Sequence, residues 1–147
     1  MNILQLFHNH LLVNSLLAWA AAQIIKAILY AAVHREINIH RLFGDGGMPS
    51  GHSATVTGLA AAALLRFGAE SFAFAVSAVL AIIVMHDAMG VRWQAGQHAR
   101  TLNLLLRRTG ESIPPEALLE ELLGHTPLQV AVGALLGAGV AVLYYLL

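Results

Sequence analysis

The string Met48-Pro49-Ser50-Gly51-His52-Ser53 carries the clearest chemistry in the chain. Pro49 cannot sit inside a helix, so a helix is expected to start after it, with Ser50 as a natural N-cap. The N–H groups of Ser50, Gly51 and His52 would then point outward at the positive end of the helix dipole. That is an anion site, best suited to phosphate. Gly51 permits close approach of a ligand, and His52 is well placed to donate a proton to it. An N-cap beside an incidental histidine would produce the same string, so further residues have to decide. His125 follows Gly124 and precedes Thr126-Pro127, which puts it at the start of another helix. Arg92 follows a long apolar run. Lys26 lies inside one, where a cation is costly and is usually functional or paired. Snorkelling is the ordinary alternative for Lys26, and a flanking charge for Arg92. Asp87, beside His86, could orient a catalytic histidine or simply pair with Arg92. His8, His10, His34 and His40 have no metal-ligand spacing on a defined helix and read as interfacial.

These residues need positioning elements, and the composition says which kind. Of 147 residues, 58% are hydrophobic and only 11% charged; mean hydropathy is +0.70. A soluble domain carries roughly a quarter charged residues, and a disordered chain has few apolar ones. A small all-α integral membrane bundle is expected, as a single domain over 1–147. Eight Lys or Arg balance eight Asp or Glu, which removes the electrostatic footprint of a nucleic-acid binder. The absence of cysteine excludes disulfides and thiolate chemistry. No Lys or Arg occurs in the first 25 residues, so no secretory signal is expected.

Four apolar segments, 11–33, 53–65, 71–85 and 127–147, predict about four transmembrane helices. The middle two are short for a span. Small residues in 53–65 and the Gly133/Gly137 pair suit close helix packing. Two polar stretches, 34–50 and 91–126, separate the apolar segments. Within them, 92–108 reads as an amphipathic helix. The Pro114-Pro115 break follows, then a short helix over 116–123 with Gly124 as its cap. Glu116, Glu120 and Glu121 read as its solvated face. With four spans both polar stretches fall on one side, which holds Arg35, Arg41, Arg92, Arg100, Arg107 and Arg108 against Arg66 on the other. Positive charge marks the cytoplasmic side. The expectation is a multi-pass protein of the cell (inner) membrane with the polar site loops in the cytoplasm.

Three strings together resemble a known family: Leu42-Phe43-Gly44 with Gly46-Gly47-Met48-Pro49-Ser50-Gly51-His52-Ser53-Ala54-Thr55; Asp87-Ala88-Met89-Gly90-Val91-Arg92; and Glu121-Leu122-Leu123-Gly124-His125-Thr126-Pro127. They are similar to the divergent, DUF212-type branch of the type 2 phosphatidic acid phosphatase and vanadium haloperoxidase superfamily. The resemblance implies a phosphatase-like membrane enzyme that hydrolyses a lipid or isoprenoid phosphate or pyrophosphate through a phosphohistidine. It implies His125 as nucleophile and His52 as general acid, with Lys26, Ser50, Gly51 and Arg92 binding phosphate. Arg41 or Arg35 would supply a further cation. No metal or other cofactor enters that scheme. The implied partners are membrane lipid and the phosphorylated substrate, and a homo-oligomer is compatible with both.

The chain departs from the family pattern in three ways. The position four residues after the nucleophile, usually Asp, is Gln129, which accepts a hydrogen bond but stabilises an imidazolium less. Arg92 and His125 stand 33 positions apart, where the family keeps them close. His98, six positions after Arg92, has the usual spacing and competes with His125 for the nucleophile's role. The Pro and Gly context of a helix start favours His125. The Gln129 departure leaves open a non-catalytic protein that binds phosphate or a lipid head group. Polar residues inside the first helix leave open a small transporter or assembly subunit.

Overall fold

The computed structural model describes residues 3–35, 47–108, 114, 117–121 and 123–147. Arg41, His40, Glu116 and the Leu42-Phe43-Gly44 string fall outside them. A short 3-10 helix, Ile3–His8, leads into α1 (His10–His34). The others are α2 (Gly51–Phe67), α3 (Phe72–Met89), α4 (Val91–Arg108) and α5 (Pro127–Leu146). The fold is all-helical, and no strand occurs among the described residues.

Among the described residues, three helical segments are long and apolar enough to cross a membrane by length and composition: α1, the α3–α4 run and α5. α2 is the exception. Its 17 residues rise only about 25 Å, against roughly 30 Å of hydrocarbon, so the expected count of four spans stands at three by this measure. α2 is the hub of the bundle, packed against α1, α3 and α5.

The packing is inverted relative to a water-soluble core. Ala18, Ala22, Ala54 and Ala63 are wholly buried, while Ile24, Ile28, Ile82 and Leu135 are exposed. Small residues inside let helix backbones approach, and large apolar ones outside face lipid. Buried polar groups bind the helices to one another: Asn14 donates to the Gly58 carbonyl at 2.8 Å and Ser15 to that of Thr55 at 3.3 Å. Between α2 and α5 the fit is closest. A methyl group added at Gly133 would land on the Ser50 carbonyl, and one at Gly137 on that of Ala54.

The segment after α4 differs from the expectation. Among the described residues of 116–123 no α-helix forms: Leu119, Glu120, Glu121 and Leu123 are irregular and run as a strap along α4. Asn103, buried on α4, holds the strap. Its Nδ2 donates to the Leu119 carbonyl and to Glu121 Oε1, both at 2.8 Å, and its Oδ1 accepts from Leu119 N–H at 2.9 Å. The side chain satisfies backbone groups that a helix would have paired internally. Gly96 lets the strap lie flat, since a methyl there would stand 2.8 Å from the Glu121 carbonyl. Glu121 is therefore a strap anchor and not part of a helix face.

Candidate phosphate site at the helix N-termini

Ser50 caps α2 as expected: its Oγ accepts from Ser53 N–H at 3.3 Å and from Ser53 Oγ at 3.0 Å. One expectation is corrected. The Ser50 N–H does not point outward; it donates to the Gln129 carbonyl at 3.1 Å, and the residue is wholly buried. Ser50 thus ties α2 to α5, and the outward N–H groups of the first turn are those of Gly51 and His52, which have no intrahelical acceptor.

α1 lines the site from one side. Trp19, Gln23 and Lys26 stand at helical spacing on one face. A methyl at Gly51 would sit 3.6 Å from Trp19 Cδ1 and 3.7 Å from Gln23 Nε2; one at Gly47 would sit 3.5 Å from the Lys26 stem. Lys26 is 7% exposed, so it is held under the Gly47 turn and does not snorkel to open water. It lines a cavity of about 220 Å³ with Tyr30, His34 and Met48. Sequence reasoning missed Gln23 and Trp19. The signal was available, because Gln23 and Lys26 are three residues apart, but it becomes readable only once α2 is known to meet that face. The Gln23 Oε1 is buried with no partner among the described residues.

The turn leading into α5 supplies the second imidazole. Thr126 caps the helix, and Gln129 closes a capping box with Thr126. Gly124 turns the chain with φ +82° against the backbone of Arg92 and Trp93, and His125 N–H donates to the Ala88 carbonyl at 2.9 Å. His125 is thereby pinned between the end of α3 and the start of α5, 3% exposed. Its ring lies 6.0 Å from that of His52, centroid to centroid, tilted by 58°. That is within the reach of one phosphate group.

Gln129 contacts this imidazole. Its Oε1 accepts from Thr126 N–H at 3.0 Å and stands 3.4 Å from His125 Nδ1. Because a backbone N–H can only donate, the amide atom facing it is the oxygen. A proton on His125 Nδ1 would make that contact a hydrogen bond and leave the lone pair on Nε2. A neutral Gln129 can accept from that tautomer.

The fold brings the backbone of Arg92 beside the Gly124 turn despite the 33-position separation. The Arg92 side chain takes another direction: Nε donates to Asp87 Oδ2 at 2.8 Å, with the two side chains 45% and 41% exposed. Asp87 therefore pairs with Arg92 and does not orient His125. His98 is exposed on α4, and Arg35 caps α1 in the left-handed region, φ 54°. Beside the site, an open groove of about 620 Å³ runs past Gln129, Gly124, Trp93, Arg100, Tyr30 and His34.

The sequence matches known proteins along nearly its whole length. The "Uncharacterized membrane protein YuiD" of Bacillus subtilis (strain 168) is 40% identical over 146 residues, spanning 91% of this chain and 92% of its own. No solved structure matches. The model of the divergent PAP2 family matches residues 7–140. With the two histidines and the capped N-terminus of α2 falling inside that span, the chain belongs to the divergent PAP2 family and is a membrane protein.

Proposed function

We propose that this protein hydrolyses a lipid or isoprenoid phosphate or diphosphate through a phosphohistidine on His125. The observation that carries the reading is the 6.0 Å approach of His52 and His125 at the N-terminus of α2. His125 Nε2 attacks phosphorus, and the ester P–O bond breaks as the P–N bond forms. His52, as imidazolium, protonates the departing oxygen. Water, deprotonated by His52, then cleaves the P–N bond and releases phosphate. Lys26 and the N–H groups of Gly51 and His52 balance the phosphoryl charge. Arg92 joins them by exchanging Asp87 for the substrate. The site loops face the cytoplasm in this reading, consistent with their arginines.

A non-catalytic binder of phosphate or a lipid head group is the second reading, favoured by the Arg92–Asp87 pair and the uncharged Gln129. Of the polar residues inside α1 that left a transporter open, Asn14 bonds across to α2 backbone. Phosphate release by purified protein in lipid nanodiscs, from phosphatidic acid and from an isoprenyl diphosphate, tests the proposal. Turnover is expected on at least one, reduced about 10²–10⁴-fold by His52→Ala. Absence of turnover on both, with vanadate still perturbing the His52 signals, would replace it with the binding reading.

A further inference from the structure

We propose that α4 is an interfacial helix that docks on an anionic phospholipid surface. Among the described helices, α3 alone packs against it; the strap lies on Gly96 and Asn103, and Ala99 between them is also buried. At 100° per residue, Val91, Ala95, Leu102 and Leu106 form one stripe beside that covered face. All four are exposed, Val91 by 68% and Leu102 by 48%. No part of the described chain covers the stripe.

Two observations identify lipid as the occupant. The first is charge: α4 contains Arg92, Arg100, Arg107 and Arg108 and no Asp or Glu. Arg100, Arg107 and Arg108 lie off the apolar stripe, as in helices that bury an apolar face at the headgroup boundary and pair cations with anionic lipid. The second is continuity. α4 begins one residue after α3 ends, across Gly90, so it starts where a membrane-crossing helix leaves the hydrocarbon. A second copy of the chain would also cover the stripe, and the dependence on lipid charge separates the two.

The absence of cysteine makes the test direct. Single variants Leu102→Cys and Thr101→Cys, labelled with an environment-sensitive NBD dye, are compared in nanodiscs of phosphatidylcholine alone and of an equimolar mixture with phosphatidylglycerol. The expected result is blue-shifted emission and loss of iodide quenching at position 102, but not at 101, in the phosphatidylglycerol discs. High salt reverses it. Each arginine near an anionic surface is worth about 1 kcal/mol, so Arg107→Gln with Arg108→Gln lowers the docked-to-undocked ratio roughly 25-fold. Equal quenching at both positions in phosphatidylglycerol overturns the proposal. So does shielding that is the same in both lipids, or shielding that grows with the number of copies per disc, which would assign the stripe to self-association.

Discussion

Alanine at position 125 is expected to remove all phosphate release, a loss of several orders of magnitude, while His98→Ala keeps most of it. A missing nucleophile closes the covalent path through His125. His98 is exposed on α4, whereas His125 is buried beside His52. Family spacing from Arg92 would have chosen His98; the Gly124 turn makes that spacing irrelevant by bringing His125 to the same helix end. Position 129 refines the test. Gln129 both closes the capping box and contacts His125, so an aspartate, one methylene shorter, surrenders the cap's reach. Gln129→Glu retains the length and adds charge. It is expected to keep or raise the rate, since a carboxylate stabilises the imidazolium as well as the tautomer. Steady-state phosphate release, with thermal unfolding measured alongside, checks all three. An active His125→Ala with an inactive His98→Ala would reverse the assignment.

Gly133→Ala is expected to destabilise the bundle by about 1–3 kcal/mol and to weaken the site with it. The added methyl would land on the Ser50 carbonyl and 3.1 Å from the Ser50 Cβ and N. The carbonyl and N are backbone atoms at the cap of α2 and the Cβ is fixed to that backbone, so none of them can rotate aside. The helices must separate, and the Ser50–Gln129 hydrogen bond is strained as they do. Gly139→Ala, two turns on in the same helix, has open space around it. It should be neutral or stabilise by up to about 1 kcal/mol, from helix propensity alone. Thermal unfolding of the two variants in one detergent separates close packing from general glycine effects. Equal stability would mean that α2 and α5 do not rely on that contact.

What could be read from the sequence follows the range of the forces involved. The Pro49–Ser50 start of α2, the Thr126–Pro127 start of α5 and the 92–108 amphipathic helix are local, set by capping, φ restriction and periodicity. All three form close to where these signals put them. The 116–123 segment has helix-compatible residues but is drawn off by Asn103, sixteen residues before Leu119. Nothing local to the strap announces that partner. The Ser50 N–H was expected to face a ligand, and a carbonyl on α5 takes it instead. Gln23 went unnoticed for the same reason: its role depends on which α1 face meets Gly51. Composition gave the membrane class without difficulty, but α2, central and rich in small residues, shows that burial by neighbouring helices can substitute for length and hydropathy.

The central claim is that the phosphoryl group passes through His125, and the intermediate itself can be captured. Protein turning over ³²P-labelled substrate is quenched in alkali, where phosphohistidine survives and acyl phosphate does not, and the label is mapped by mass spectrometry. The predicted result is label on His125 in the wild-type protein and none in His125→Ala. Label on His98, or turnover by wild-type protein with no histidine-bound phosphate at any time, would contradict it.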